Sequence, residues 1–152
     1  MIMKIEEVLK SENLTLAKQA IMNVMYTHNV VAENTLEVMK AYDLSPEQFN
    51  VLRILRGQKG KPTNMSVIQE RMIAKTSNTT RLVDKLLLKG LVKREVCPDN
   101  RRKMEITVTQ RGLDLLTEID PKVEENETRF ANNLTLAEQE QLVYLLEKYR
   151  TL

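Results

Sequence analysis

Residues 76–112, TSNTTRLVDKLLLKGLVKREVCPDNRRKMEITVTQRG, constrain the fold more than any other stretch of the chain. Leu82, Val83, Leu86 and Leu87 recur at helical spacing, and Gly90 follows where a left-handed helix cap is needed. The hydrophobic period then drops from 3.6 to 2. Val92, Arg94 and Val96 alternate with Lys93, Glu95 and Cys97, and later Met104, Ile106 and Val108 alternate with Lys103, Glu105 and Thr107. Two alternating runs separated by Pro98 to Arg102 form a β-hairpin with that segment as its turn. Thr109 suits the N-cap of a further helix carrying Leu113, Leu116 and Ile119, which Asp120-Pro121 is expected to kink or interrupt.

Upstream, Ser45-Pro46-Glu47-Gln48 combines a capping residue, a proline at the first helical position and a capping-box glutamine. Phe49, Val51, Leu52, Ile54 and Leu55 give that helix its buried face, and Gly57 ends it. Ser66 with Gln69 repeats the capping-box pattern and predicts a short helix through Met72. Ala74 to Thr76 form a turn, and Thr76 or Ser77 caps a second helix over 77–89. Two short helices joined by three residues make a helix-turn-helix, whose second helix can enter the major groove of DNA.

The ends of the chain are helical too. One apolar stripe runs through Leu14, Ala17, Ile21, Val24, His28 and Val31, and a second through Met22, Met25, Ala32, Leu36 and Met39. Two stripes on one helix imply burial on two sides, against the chain's own core and a second subunit. Thr135 with Glu138 opens a last helix with Leu142, Leu145, Leu146 and Tyr149 on its apolar face. The expected fold is mainly α with a small β-hairpin wing. A winged helix-turn-helix over 45–112 would be flanked by 1–44 and 113–152, which form a helical dimerisation platform.

Charge is segregated along the chain. From Arg53 to Arg111 there are 15 Lys and Arg against 5 Asp and Glu, a balance of +10, whereas the whole chain carries +2. A basic block with acidic flanks suggests an anionic partner for the block. No apolar run approaches the ~18 residues of a membrane span. The acidic, amphipathic N-terminus is unlike a signal sequence, and a single Cys fits a reducing cytoplasm. One His and one Cys cannot build an ordinary zinc site within one subunit. With no Gly-rich phosphate loop, no GxSxG and no metal-ligand cluster, neither an enzyme nor a cofactor is expected.

The expected DNA contacts follow from residue type and place. Ser77, Asn78, Thr80, Arg81 and Lys85 are the positions the leucines of the second helix leave free. Asn reads adenine and Arg reads guanine with paired hydrogen bonds, and Thr offers a methyl group to thymine. Ser66, Lys75 and Thr76 are better placed for phosphates. Arg101 at the hairpin tip suits a narrow minor groove. Asp99 is expected to brace the loop by pairing with an arginine, and Arg102 and Lys103 lie on the same approach to the backbone. Few aromatics in the basic block favour duplex over single strands. The competing reading is a winged helix used as a protein-interaction module, which predicts apolar residues exposed on the second helix or wing.

The run from Met65 to Gly112 resembles the winged helix-turn-helix of the MarR family of bacterial transcription regulators. The resemblance rests on TRLVDKLLLKGLVKR (80–94) and DNRRKMEITVTQRG (99–112), with Asp99, Arg101 and Thr109 to Gly112 placed as in the family pattern. It implies a homodimer with interleaved terminal helices and one recognition helix per half of a pseudo-palindromic site. It also implies a repressor more often than an activator, commonly relieved by a small phenolic or other lipophilic ligand. The N-terminal helix lacks the cysteine used by the peroxide-sensing branch.

Single residues have two readings each. His28 is a core or interface histidine, or a hydrogen-bonding group lining an effector pocket between the long helix and the DNA-binding lobe. Cys97 has cationic neighbours in sequence that favour a thiolate, although most lone cysteines are inert. Met22, Met25, Met39 and Met72 suit a core, and also an adaptable ligand cavity.

Overall fold

The computed structural model describes residues 1–152. A short helix α1 (Ile5–Leu9) precedes the long α2 (Leu16–Lys40). Helices α3 (Pro46–Gly57), α4 (Met65–Arg71) and α5 (Thr79–Leu88) follow, then strands β1 (Val92–Cys97) and β2 (Asn100–Val108). The chain closes with α6 (Gln110–Ala131) and α7 (Leu136–Tyr149). This is the expected helical protein with one antiparallel hairpin, a winged helix-turn-helix.

One hydrophobic core organises the molecule. Phe49, Val51, Leu52 and Leu55 of α3 meet Ile68 of α4, Val83 and Leu86 of α5, and Leu91, Val92 and Ile106 of the wing base. The long helices contribute only their near ends: Met39 from α2, and Leu116 and Ile119 from α6. A backbone bridge between Thr63 and Ile106, with hydrogen bonds of 3.0 and 2.7 Å, adds a short third edge to the wing that its hydrophobic pattern does not announce.

Several caps stand where expected. Ser45 and Gln48 form a full capping box on α3, as do Thr135 and Glu138 on α7. Each such cap contributes about 1 kcal/mol. Thr109 caps α6, accepting from Gly112 N–H at 3.1 Å, and its hydroxyl donates to Gly90 O at 2.8 Å. Gly112 is required there because a Cβ would lie 2.4 Å from Leu91 O. Thr-x-x-Gly thus lets the start of α6 sit directly on the chain leaving α5.

Three local expectations need correction. Asn64, not Ser66, caps α4, accepting from Val67 N–H at 3.0 Å. Gln69 is diverted from a capping box because its amide serves the α4–α5 turn instead. Helix α6 runs unbroken through Pro121. Leu116 and Ile119 are anchored in the core on the N-terminal side, and Arg56 grips Asp120 through two bonds of 2.7 and 3.2 Å. Pro121 and Thr117 both face solvent, where water can serve the carbonyl that proline leaves unpaired. The hairpin turn is also shorter than Pro98 to Arg102. Cys97 pairs with Asn100 and Val96 with Met104, so Pro98-Asp99 is the tip and Arg101, Arg102 and Lys103 bulge out of the ladder.

Candidate nucleic-acid interface

The amide of Gln69 builds the turn that presents α5. Its Nε2 donates to Lys75 O at 2.6 Å, while its Oε1 accepts from the hydroxyl of the buried Thr79. Lys75 Nζ donates to Glu70 O, so this cation is held against the turn while remaining exposed. Asn78 caps α5 by accepting from Arg81 N–H at 3.1 Å, displacing the role expected of Thr76 or Ser77. That bond occupies Asn78 Oδ1. The cap uses one lone pair of Oδ1 and fixes the orientation of the side chain, so any adenine contact by Asn78 must be compatible with the capping geometry.

The remaining polar residues converge. A cleft of about 510 Å³ in front of α5 brings Thr76, Ser77, Asn78, Arg81 and Lys85 together, with Glu47 at its margin. Thr76, Thr80, Arg81 and Lys85 are exposed, as is Ser66 on α4. Ser77 is half-buried, and its hydroxyl is buried without a hydrogen-bond partner. Arg81 and Lys85 have no carboxylate within ion-pair distance.

The wing supplies a second cationic surface. Asp99, Asn100, Arg101, Arg102 and Lys103 are all exposed. Asp99 pairs with no arginine; Asn100 braces the loop instead, its Oδ1 accepting from Arg102 N–H at 3.0 Å. A side chain in the ladder does this work more directly than a carboxylate at the solvated tip. Arg101, Arg102 and Lys103 are left without ion pairs, whereas Lys93 meets Glu95 at 2.6 Å and Arg94 meets Asp84 at 2.8 Å. Five unpaired cations thus lie on the exposed side of α5 and the wing bulge, while Lys59, Lys61, Arg71 and Arg111 are unpaired elsewhere in the basic block.

His28 is exposed on α2, outside the core of one chain, and lines none of the five main clefts. The reason is that α2 stands away from the core along most of its length, with Ile21, Val24, Met25, Val31 and Leu36 exposed. The last helix, α7, buries no residue at all. Cys97 is half-buried and unpaired.

A separate cavity of about 190 Å³ lies where α2, α3 and α6 meet. Val38, Met39, Phe49 and Val123 form its apolar wall. Asn126, only 9% exposed, lines it, and its side-chain amide takes no part in the protein's hydrogen bonds. Arg53 stands at the rim with its guanidinium 5.7 Å from the Phe49 ring centroid, a cation–π contact. The spacing Ile119, Val123, Asn126 is the sequence signal for this site: an amide on an otherwise apolar helical stripe.

The MarR family model matches residues 44–104, which span α3 to the wing bulge. The chain is 31% identical to the HTH-type transcriptional regulator YkoM of Bacillus subtilis over 120 residues, covering 78% of this chain and 75% of that protein. It is 23% identical to the transcriptional repressor MprA of Escherichia coli over 124 residues, covering 82% and 70% respectively. The fold superposes on Bordetella bronchiseptica BpsR, whose DNA binding is regulated by 6-hydroxynicotinic acid, with a TM-score of 0.80 and 21% identity. That superposition covers 92% of this chain and 99% of BpsR. Fold, helix-turn-helix, wing and these similarities agree: the chain belongs to the MarR family of transcription regulators.

Proposed function

We propose that the protein is a homodimeric, sequence-specific duplex-DNA-binding regulator, most simply a repressor, acting on a pseudo-palindromic operator. The observation that carries this reading is the exposed cationic surface of α5 together with that of the wing bulge. Arg81 and Lys85 on α5 and Arg101, Arg102 and Lys103 on the wing bulge are exposed and lack carboxylate partners. In this reading α5 enters the major groove, with Thr80, Arg81 and Lys85 facing base edges and Ser77 and Asn78 at the groove wall. Ser66, Lys75 and Thr76 face phosphates, Arg101 faces the minor groove, and Asp99, Arg102 and Lys103 sit beside it. Regulator relatives and the absence of any helix able to cross a membrane support a cytoplasmic site of action and a non-enzymatic role.

Dimerisation is supported by what one chain leaves uncovered. Ile21, Val24 and Met25 of α2 and Leu142, Val143, Tyr144, Leu145 and Leu146 of α7 are exposed. An apolar surface of that extent is uncommon on a monomer. Packing of residues 1–44 and 113–152 against a second copy would bury it, and would also give His28 the interface that one chain lacks.

The cavity at Asn126 is the natural seat for an effector. Its size suits a single aromatic ring, with Asn126 for a hydroxyl or carbonyl, and Arg53 and Glu127 give its lining one charge of each sign. A ligand there acts only if it binds the DNA-competent and DNA-incompetent states with different affinity. Isolated apolar residues do appear near the interface, Leu88 at the end of α5 and Val96 on the wing. They flank the polar surface singly, which favours nucleic acid over a protein-docking role.

The test is fluorescence anisotropy with a duplex from upstream of the protein's own gene and a scrambled control, at two salt concentrations. Tight, salt-dependent preference for the upstream duplex is expected. Absence of binding at low salt would overturn the reading. Single-ring phenols and aromatic acids added to the complex should release DNA from the native protein and fail with Asn126→Leu.

A further inference from the structure

Lys89 belongs to the basic block yet is not available to DNA. Its ammonium donates to Asp43 O, lies 3.3 Å from Gln48 Oε1 as donor, and sits 3.5 Å from Asp43 Oδ2. An ammonium has three N–H donors, and here three acceptors surround it. All three belong to the corner where α2 turns into α3.

That corner is stiff. Asp43 adopts a left-handed backbone conformation with φ of 52°, and Leu44 N–H returns to Met39 O at 3.3 Å. Met39 and Leu44 are both buried. Gln48 is 6% exposed, and its Oε1 also accepts from Ser45 N–H at 3.2 Å, so the acceptor is locked into the α3 capping box. Lys89 itself is the C-cap of α5, followed by Gly90 with φ of 71°.

Helices α2 and α5 share no packed face. An open cleft of about 560 Å³, bordered by Leu36, Lys40, Lys85 and Leu88, separates their last turns. Val83 and Leu86 seat α5 on the α3 core, Thr79 ties its N-terminal end to Gln69 of α4, and Asp84 meets Arg94 of the wing. The Thr109–Gly90 bond ties the C-terminal end of α5 to the start of α6. Lys89 is the tie that reaches the end of α2.

We propose that Lys89 is a positioning residue: by fixing the end of the recognition helix to the α2–α3 corner, it sets the half-site spacing that the dimer accepts. This rests on the homodimeric reading above. Two recognition helices must present themselves about 34 Å apart, so freedom at the base of either helix relaxes the spacing requirement.

The experiment uses an operator duplex selected from a random pool by the wild-type protein, and the same duplex with one base pair inserted or deleted between half-sites. Wild type should prefer the selected spacing. Lys89→Met should lose about tenfold on that spacing, change little on the other two and keep its salt slope. Asp43→Asn, which retains the backbone carbonyl and tolerates the left-handed turn, should fall between. A salt slope lower by about one unit with unaltered spacing preference would make Lys89 a phosphate contact and overturn the proposal. Equal losses on all three duplexes with a lowered Tm would reduce it to a fold-stabilising residue.

A second readout is independent of DNA. Spin labels at Glu33 on α2 and Arg81 on α5, in a Cys97→Ser background diluted with unlabelled protein, report the intrachain distance distribution. Lys89→Met should broaden it, and an unchanged width would overturn the proposal. If wild type binds all three duplexes alike, the dimeric-operator reading fails, and the label distances alone decide the role of Lys89.

Discussion

Arg94 of the wing donates to Asp84 of the recognition helix, Nη1 to Oδ1, at 2.8 Å. The bond couples the two elements that, in the function proposed above, enter the major and the minor groove. Both side chains are partly exposed, at 35% and 51%, so the pair itself adds at most about 1 kcal/mol of stability. Arg94→Met should therefore leave the urea midpoint nearly unchanged while weakening operator binding several-fold. A loss of affinity no larger than the loss of stability would show that the wing orients itself without this bond.

Arg101 and Arg81 should fail differently. Arg101→Ala is expected to weaken binding to every duplex and to lower the salt slope by about one unit. Arg81→Ala should instead relax preference at particular base pairs, with about 1–3 kcal/mol of discrimination lost. Competition with single-base operator variants at two salt concentrations separates the outcomes. Parallel losses for both variants would remove the division of labour.

Asn78 needs a paired comparison because it caps α5 through Oδ1. Asn78→Ala should cost about 1 kcal/mol of stability, and Asn78→Ser only a fraction of that, since serine is also a good cap. If binding follows the cap, Asn78→Ser will bind DNA nearly as wild type does. Equal DNA-binding losses in both variants, despite the restored cap, would assign the side chain a direct base contact.

Gly112→Ala tests the seating of α6. The added methyl would meet Leu91 O at 2.4 Å and Val108 Cγ2 at 2.7 Å, and the former is backbone that cannot rotate aside. A loss of about 1–3 kcal/mol is expected, read from chemical denaturation. Stability within experimental error of wild type would mean that α6 can shift outward freely.

Glu138 provides a pH-dependent outcome. Hydrogen bonds from Thr135, first its backbone N–H at 2.8 Å and then its hydroxyl at 3.0 Å, hold the Glu138 carboxyl below the usual carboxylate range. A depressed folded-state value means that its contribution is present above the unfolded value and is lost as pH falls through the folded one. The N-terminus of α7 should fray in that acidic window, visible in the Thr135 amide resonance. Glu138→Gln should abolish the pH dependence; the same acid-induced shift in that variant would assign it to another group.

Local chemistry explains what could be read from the chain alone. Ser45 with Gln48, Thr109 with Gly112, Thr135 with Glu138, and the leucines of 82–87 act over three or four residues, so their spacing already contains the caps and the buried face. The change to period two at Val92 likewise announced the wing, and the run from 80 to 112 carried the family. The choice of cap among neighbours was not local. Asn64 and Asn78 displaced Ser66, Thr76 and Ser77 because Gln69 is drawn across the turn to Lys75 O and Thr79. Helix α6 continues through Pro121 with core residues on its N-terminal side and Asp120 bonded to Arg56, far away in sequence.

The basic block shows the same division. Its net charge is a property of composition, and so is the expectation of an anionic partner. Which cations are engaged is a property of the fold: Arg56, Lys89, Lys93 and Arg94 meet carboxylates, while the others, Arg81, Lys85 and the bulge of Arg101 to Lys103 among them, do not. The sequence by itself therefore determined the helix-turn-helix, the wing and the sign of the surface, because hydrophobic period and capping are short-range. Only the tertiary structure decided the ties of the recognition helix at Lys89 and Asp84 and the Asn126 cavity, because those depend on groups that folding alone brings within a few ångströms.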